Sequence, residues 1–543
     1  MRNLAAGMVA LVAVSLIGWA LLQFGAATRG VGVERDIWGS IPVTVFRPSS
    51  GSAARRPTVV IAHGFAGSQQ LMQPFAVTLA RNGYLAVTFD FPGHGGNPVP
   101  LPGSLREHDA LLASLLGAIE STVAGVHTLP GADGRVALIG HSMASDLVVR
   151  HAQAHPETVA TVGVSLVYGG ADRVAPRNLL AIYGALEPAM LQTFGRTMIA
   201  GPLAQTPGAP DNPGAPTSPD AVQPERTYGR FDDGSARRLT LAPGAEHISV
   251  LYNRATLRET LDWLDQSFTG APVALPGSGF IDARGPAIGA LLLGIVGLTW
   301  PLSLAMRRLL APRAWRDAII EYVPWQPASI RIAPWLAVTL GPAIATPLLL
   351  RMVPTSFLPI LLGDYLLLHF ALYGLLTAAG IGWLVRRQTI SLPPPRMPGL
   401  PALLATVAVL LWSTLAIGLP VDRWMFNLAP APGRGVLIVM MLTGTLAWFC
   451  ADEWLTRHRQ APRLAYAFTK FCFLLSLAIA VGLDLSRLFF LIIIIPAILV
   501  MFIVYGLFSR WSFRATGSPW PAAIANACVF AWGIAVTFPA IQR

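Results

Sequence analysis

The stretch VALIGHSMASDL, from Val136 to Leu147, carries a serine from a buried strand into a helix. Its first four residues, Val136–Ile139, are all apolar, which is typical of a strand inside a parallel sheet. The segment Ala144–Ala154 that follows has the pattern of a helix. A sharp strand-to-helix turn that exposes a serine hydroxyl is the shape that a nucleophile elbow requires.

The residues around Ser142 are small where such a turn needs them to be. Side chains two residues before and two residues after the serine would collide with the neighbouring strand and helix. Gly140 and Ala144 occupy these positions, and Ala144 stands where a second glycine is more usual. We therefore predict that Ser142 is a catalytic nucleophile. The alternative is a serine that only caps the helix.

A serine nucleophile needs an adjacent base, and the base needs an acid that orients it. His247 follows the strand-like segment Arg238–Ala242, and we predict that it takes the proton from the serine. Glu187 follows the strand-like segment Asn178–Tyr183, at the sheet edge where the orienting acid belongs. Asp172 remains an alternative acid because it follows the preceding strand.

Backbone N–H groups that stabilise an oxyanion are the remaining requirement. The stretch TVVIAHGFAGS places Phe65 just after an early strand, and Met143 directly follows the serine. We predict that the N–H groups of Phe65 and Met143 converge on one point. A tight turn without a catalytic role is the alternative for the first of them. The stretch VTFDFPGHGGN, with Asp90 and His94, is interpreted as a structural turn.

Short apolar segments alternate with helical stretches between Arg29 and Phe268, which predicts βαβ units and a mostly parallel sheet with flanking helices. The last helix of this part is predicted at Asn253–Phe268. The segment Gly201–Pro224 is rich in proline, glycine and alanine and is interpreted as a mobile loop. The other strand-like segments are Val43–Phe46, Thr58–Ala62, Leu85–Phe89, Val159–Val167 and Leu179–Tyr183.

The span Arg29–Phe268 resembles an α/β-hydrolase domain of the serine esterase and lipase kind. The pieces that carry the resemblance are HGFAG, DFPGHG, GHSMA, GALEP and GAEH, in the order of the family. Glutamate stands at the acid position, where aspartate is commoner. The resemblance implies a catalytic triad formed by Ser142, Glu187 and His247. It also implies an oxyanion hole formed by Phe65 and Met143.

The segment between Val167 and Asn178 is too short for the cap domain that many such enzymes carry there. We therefore expect a site that is open, covered by the Gly201–Pro224 loop, or apposed to a bilayer. The last arrangement suits a lipid or an acylated envelope substrate.

The composition indicates a large membrane portion, because 53% of the residues are hydrophobic and 12% are charged, against about 25% charged in soluble domains. We predict a transmembrane anchor at residues 1–28, an α/β-hydrolase domain at 29–268, a linker at 269–286 and a membrane domain of about eight helices at 287–543. A cleaved signal peptide is the alternative for the first segment, since Gly25, Ala26 and Ala27 are small.

Arginines predict the orientation of the spans. They cluster in alternate loops, which the positive-inside rule places in the cytoplasm. We therefore expect a multi-pass inner-membrane protein of a bacterium with an extracytoplasmic, periplasmic hydrolase domain. The formal net charge of +11 does not indicate nucleic-acid binding, because the arginines lie in short loops between apolar spans. These loop arginines include Arg307, Arg308, Arg386, Arg387, Arg457, Arg459, Arg510 and Arg514.

Ionisable residues inside membrane spans are functional candidates. Asp364 and His369 lie in one span, and Asp364 either belongs to a substrate path or packs against a polar partner. Lys470 lies near the cytoplasmic end of another span and is interpreted as an interfacial anchor.

We predict a membrane-tethered serine hydrolase that cleaves carboxylic esters through an acyl-enzyme, with an ester or lipid-like substrate and membrane lipids as partners. The alternatives are a transporter or membrane scaffold whose outer domain only binds ligand, and an acyltransferase that uses the same triad. The sequence contains no nucleotide fingerprint and no evident metal-ligand cluster, so we expect neither a cofactor nor a metal.

Overall fold

Strands in the N-terminal half form one nine-stranded sheet in this computed structural model, in the order β1-β2-β4-β3-β5-β6-β7-β9-β8. The structure describes residues 2–49, 55–102, 108–167, 170, 175–204, 216, 218–268, 279–310, 332–387, 399–457, 461–462 and 464–542. The strands are β1 Val31–Trp38, β2 Ile41–Pro48, β3 Arg56–Ala62, β4 Leu85–Phe89, β5 Ala132–His141, β6 Ala160–Val164, β7 Leu179–Gly184, β8 Thr227–Tyr228 and β9 Arg237–Ala242.

The sheet is mostly parallel, as predicted. β3 pairs in parallel with both β4 and β5, and the parallel ladder continues through β6, β7 and β9. All residues of β3, β4, β6 and β7 are buried, because helices cover both faces of these strands. The edge strands β1 and β8, and β2 next to β1, pair in antiparallel fashion. The sequence analysis did not identify β1 and β8, which carry polar residues or are very short.

Five helices belong with this sheet: α2 Gln73–Arg81, α3 His108–His127, α4 Met143–Ala154, α5 Ala189–Ala204 and α6 Arg254–Ser267. The helix α5 extends into the segment that was interpreted as a loop, since it includes Gly201. Residues 205–215 and 217 of that segment, and residues 269–278 of the expected linker, lie outside the described residues.

The rest of the described chain is helical. Before the sheet stands α1 Arg2–Ala27. After it come α7 Gly285–Leu310, α8 Ile332–Leu350, α9 Gly363–Arg386, α10 Gly399–Leu411, α11 Leu419–Trp424, α12 Arg434–Thr456, α13 Ala465–Leu483, α14 Leu485–Leu488, α15 Phe490–Thr516 and α16 Trp520–Thr537. A π-helical segment, Trp412–Gly418, joins α10 to α11. We call residues 279–542 the helical half.

Ten of the described helices are long and apolar enough to cross a membrane. One of them is α3, which lies between β4 and β5 in the chain and packs on α4 and β5. A helix whose neighbours are a sheet and another sheet-packing helix is part of the α/β layer. Each of the eight spans expected after residue 287 coincides with a long helix, or with α10 and its continuation into α11.

The helical half packs directly on the sheet domain. One hydrophobic cluster contains side chains of both, including Phe91 and Phe538. The buried Arg434 donates to the carbonyl oxygens of Ala535, at 2.8 Å, and of Gly93, at 3.0 Å. The C-terminal segment, residues 538–542, also contacts the sheet domain. The N–H of Ala540 donates to Gly93 O at 2.8 Å, and the N–H of Leu101 donates to Ala540 O at 2.9 Å.

Two of the ionisable residues singled out in the membrane spans, Asp364 and Lys470, are buried and have polar partners. Asp364 accepts from the N–H groups of Phe357, at 2.8 Å, and Tyr365, at 3.1 Å, and so holds the loop before α9. Lys470 is buried and forms an ion pair with Asp452. The interpretation of Lys470 as an interfacial anchor is therefore wrong. The reason is that a carboxylate on α12 neutralises the ammonium inside the bundle.

Candidate active site

The turn at Ser142 is strained in the way the sequence predicts. Ser142 has φ 53° and ψ −118°, a conformation that L-residues rarely adopt. Its N–H donates to Val164 O at 2.9 Å, which ties the turn to β6. A Cβ atom on Gly140 would lie 2.3 Å from Ala144 O, so only glycine fits two residues before the serine. The strain and the close approach together hold the hydroxyl above the carboxyl edge of the sheet.

The structure brings the three predicted triad residues together. His247 Nε2 lies 3.1 Å from Ser142 Oγ. Its other ring nitrogen, Nδ1, lies 3.1 Å from Glu187 Oε2. Both distances are within hydrogen-bond reach. The imidazole thus bridges the hydroxyl and the carboxylate. The three side chains come from three separate loops, which follow β5, β7 and β9.

The carboxylate of Glu187 is held on its other side as well. Its Oε1 atom accepts from Ser165 Oγ at 2.7 Å and from the N–H of Gly184 at 2.8 Å. Burial raises the pKa of Glu187, but the hydrogen bonds from His247, Gly184 and Ser165 outweigh burial and leave the pKa below its ordinary value. An ionised Glu187 fixes the Nδ1–H tautomer of His247 and leaves Nε2 free to accept the serine proton.

Two residues support this geometry that the sequence analysis did not identify. His141 Nε2 lies 3.0 Å from the carbonyl oxygen of His247. Burial, and then the nearby His247, lower the pKa of His141 to about 3, so it is a neutral ring that donates one hydrogen bond to His247. Ser165, with φ 52°, anchors Glu187. In the sequence His141 is only the variable residue before the nucleophile, and Ser165 lies in an ordinary strand end.

The loop that contains Phe65 lies against the serine. A Cβ atom on Gly64 would be 3.1 Å from Ser142 Cβ, so this backbone can approach the nucleophile only because Gly64 has no side chain. Within the described part of the chain, the N–H groups of Phe65 and Met143 donate to no backbone or side-chain acceptor. Two free donors beside the hydroxyl are what an oxyanion hole requires.

Buried polar residues brace that loop. His63 Nδ1 contacts Gly64 O at 2.8 Å, and Nε2 accepts from the N–H of Phe91 at 3.2 Å. Burial lowers the pKa of His63 to about 4, so its ring is neutral. Asp90 accepts from the N–H groups of Gln69, at 2.8 Å, and Gly96, at 3.0 Å. Asp90 therefore organises turns.

Comparison with known proteins finds one family model that matches part of this region. Residues 53–199 match a hydrolase family model described as serine aminopeptidase, S33. The match includes Ser142 and Glu187 and ends before His247. The N-terminal half of the chain is an α/β-hydrolase domain.

Solved structures similar to the chain include three named hydrolases. A putative dienelactone hydrolase from Klebsiella pneumoniae is 14% identical, with coverage of 44% of this chain and 99% of that one and a TM-score of 0.32. A soluble variant of monoglyceride lipase from Saccharomyces cerevisiae is 13% identical, with 44% and 96% coverage and a TM-score of 0.30. An epoxide hydrolase from Vigna radiata is 20% identical, with 27% and 40% coverage and a TM-score of 0.21. No curated protein matches the chain.

The α/β-hydrolase domain carries apolar side chains around the triad. Leu186 is 68% exposed and precedes Glu187, Met190 is 75% exposed on α5, and Ile248 is 41% exposed and follows His247. His247 itself is 26% exposed, so the base can be reached from solvent. Asp172, the alternative acid, lies outside the described residues.

The helical half also reaches this site. The ring of Phe65 stacks on that of Phe490, the first residue of α15, with centroids 3.9 Å apart and an interplanar angle of 20°. Phe490 in turn contacts Phe489, which is 51% exposed. A row of aromatic rings therefore leads from the expected oxyanion loop to the outside of the helical half.

A group of side chains that could hold a metal ion lies elsewhere on the α/β-hydrolase domain. Glu120, His151 and His155 each offer one ligand atom, and these atoms all lie within 4.8 Å of one another. The sequence analysis missed them because Glu120 comes from α3, about thirty residues before the two histidines of α4 and its end.

Proposed function

We propose that the protein is a membrane-tethered serine hydrolase that cleaves carboxylic esters. The observation that carries the proposal is the continuous chain of contacts from Ser142 Oγ through the His247 imidazole to the Glu187 carboxylate, at 3.1 Å each. The family match supports the same chemistry, because its residues include the nucleophile turn.

Acylation follows from this arrangement. Ser142 Oγ attacks the ester carbonyl carbon while His247 Nε2 takes the hydroxyl proton. The carbonyl oxygen becomes an oxyanion, and the N–H groups of Phe65 and Met143 are placed to donate to it. When the C–O bond to the alcohol breaks, His247 returns the proton to the departing alkoxide. The product is an acyl-serine and a free alcohol.

Deacylation repeats these steps with water. His247 takes a proton from the water, the hydroxide adds to the acyl carbon, and Ser142 leaves with the proton that His247 held. Glu187 stays ionised throughout and stabilises the imidazolium each time it forms.

The surroundings of the triad support a substrate with an apolar acyl group drawn from a membrane. Leu186, Met190 and Ile248 expose apolar surface beside Glu187 and His247. On the other side, the contact between Phe65 and Phe490 joins the oxyanion loop to an apolar helix. A lipid ester matches both surfaces, because burial of its chain against them is favourable at about 25 cal/mol per Å².

The decisive experiment compares the wild-type chain in detergent with Ser142→Ala. The wild type hydrolyses p-nitrophenyl esters and is labelled by a fluorophosphonate. The alanine variant loses both, with a fall in kcat of at least about 10³-fold. Ser121→Ala, an exposed serine on α3, serves as the control and keeps both. Undiminished turnover by Ser142→Ala would remove the serine from the mechanism.

Two substrate series test the preference for a long acyl chain and the preference for esters over amides. Esters of increasing acyl length are expected to show a falling KM up to a chain of lipid size. Matched amides are expected to react more slowly than esters, since the amine is the poorer leaving group. A chain that turned over amino-acid anilides faster than esters would instead be a peptidase with the same triad.

A further inference from the structure

A carboxylate and two imidazoles converge on the outer surface of the α/β-hydrolase domain, away from the triad. Glu120 projects from α3, His151 from the last turn of α4, and His155 caps the end of α4. One oxygen of Glu120, Oε2, lies 3.0 Å from His151 Nε2 and 3.1 Å from His155 Nε2. The two imidazoles stack with centroids 4.3 Å apart and an interplanar angle of 20°.

Both ring nitrogens of His155 face carboxylate oxygens. Its Nδ1 atom lies 3.1 Å from Glu157 Oε1, while its Nε2 faces Glu120. A neutral imidazole has one N–H and one lone pair. If Nδ1–H donates to Glu157, the Nε2 lone pair points at a carboxylate oxygen, which is repulsive unless a proton or a metal ion lies between them.

The second imidazole, that of His151, faces the same carboxylate. It is buried, and its Nδ1 has no hydrogen-bond partner among the described residues, so its one polar contact is the Nε2 that faces Glu120. Two imidazoles that stack face to face resist being charged together. A single divalent cation satisfies both Nε2 atoms and the carboxylate at once.

We propose that Glu120, His151 and His155 form a binding site for a divalent transition metal such as Zn²⁺. Two imidazole nitrogens and one carboxylate oxygen are ligands that zinc takes, at about 2.0–2.2 Å, with a fourth position left for water. Ligand atoms of a tetrahedral zinc site lie about 3.3 Å apart by this geometry. The two separations from Glu120 Oε2, 3.0 and 3.1 Å, need only a small opening, and all the ligand atoms lie within 4.8 Å of one another. Glu157 orients His155 through Nδ1, as outer carboxylates do in metal sites.

The site joins two helices that matter for the domain. α4 begins directly after Ser142, and α3 lies beside it in the layer that covers the sheet. A metal held by both helices clamps the far end of the nucleophile helix. The cation is structural in this arrangement, and it does not touch the triad.

The test uses the full-length chain in detergent, purified through a tag without histidines and stripped with a chelator. Titration calorimetry with ZnCl₂ and elemental analysis after dialysis measure affinity and stoichiometry. The expected result is one Zn²⁺ per chain and a rise in Tm on binding. His155→Ala and Glu120→Gln, both at solvent-accessible positions, are expected to weaken binding at least about tenfold.

His127→Ala is the matched control, since this exposed histidine ends α3 outside the cluster. It is expected to bind Zn²⁺ like the wild type. Thermal unfolding without metal checks that each variant is folded. The absence of bound Zn²⁺, or binding that His155→Ala and Glu120→Gln leave unchanged, would overturn the proposal. Hydrolase activity enters none of these measurements, so the metal site stands or falls independently of the triad.

Discussion

At the scale of single residues, the site depends on a close approach that only glycine allows. The Cβ of an alanine at position 140 would stand 2.3 Å from Ala144 O and 2.8 Å from Val148 Cγ2. Because Ala144 O belongs to the first turn of α4, relief of this overlap has to move the helix that starts after Ser142. Stability and serine position are therefore coupled at this point.

Gly140→Ala is expected to lower the stability by about 1–3 kcal/mol, the usual cost of overpacking, and to reduce kcat together with it. Gly117→Ala is the control, because nothing lies within 4 Å of its added Cβ on α3. That variant should be neutral or stabilised by up to about 1 kcal/mol, since helical glycine is unfavourable. Chemical denaturation and ester turnover measure the two effects. Equal behaviour of the two variants would contradict the close-packing argument.

Glu187 gives a pH-dependent prediction. Its pKa in the folded protein lies below the ordinary value of 4.5, because three hydrogen bonds favour the carboxylate. Its ionisation therefore adds stability above pH 4.5, and this contribution is lost as the pH falls through the lowered pKa. The difference in free energy of unfolding between wild type and Glu187→Gln should shrink between pH 6 and pH 3. A difference that stays constant over this range would show that the charge contributes nothing.

Much of the site could be predicted at this scale, and the exceptions have physical causes. Ser142, Glu187 and His247 stand directly after strands, in the chain order of the fold, so the sequence pattern alone places them together. His141 and Ser165 act through burial and through hydrogen bonds to residues more than twenty positions away. No local pattern carries that information.

At the scale of elements, local hydropathy misleads where tertiary packing decides. The helix α3 is as apolar as a membrane span, yet it packs on α4 and β5. Its place between β4 and β5 in a βαβ alternation assigns it to the α/β layer, because connectivity constrains a helix more than composition does. The sequence analysis did not predict the strand β1, because most of its residues are exposed and its pattern is polar.

The contact between the oxyanion loop and α15 makes an element-scale prediction. Phe490→Ala removes the ring that supports Phe65, so the Phe65 N–H is held less firmly, and kcat on a short soluble ester should fall about tenfold. Phe489→Ala is the matched control, since its ring is half exposed and does not stack on Phe65. Steady-state kinetics in detergent separates kcat from KM. Identical kcat values for the two variants would exclude support of the loop by α15.

At the scale of the whole molecule, the hydrolase domain lies at the helix ends opposite the arginine-rich loops. The hydrolase domain contacts the ends of helices at Arg434, Phe490 and Ala540. The arginine-rich loops follow the opposite ends of α7, α9, α12 and α15. If the positive-inside rule places the arginine-rich loops in the cytoplasm, the hydrolase domain lies on the other side of the membrane, which is the orientation that we propose.

A cysteine at an exposed site of the hydrolase domain tests that orientation. The native cysteines Cys450, Cys472 and Cys528 all lie in helices of the helical half. Ser121→Cys on α3 should react with a membrane-impermeant maleimide in intact spheroplasts. Arg387→Cys, at the end of α9, is the reporter for the other side and should react only after lysis. The reverse pattern would invert the topology.

Arg434 fixes how firmly the two halves are joined. Its guanidinium is buried and donates to Ala535 O, Phe538 O and Gly93 O, so one side chain links α12, the C-terminal segment and the hydrolase domain. Arg434→Leu leaves three buried carbonyl groups without this donor, and we expect a loss of at least about 2 kcal/mol in stability. Limited proteolysis should then release the hydrolase domain sooner, and ester turnover should fall because Gly93 and Phe65 lie on neighbouring loops of the site. Arg423→Ala, an exposed arginine on α11, should change neither measurement. Unaltered proteolysis of Arg434→Leu would mean that the apolar cluster alone holds the halves together.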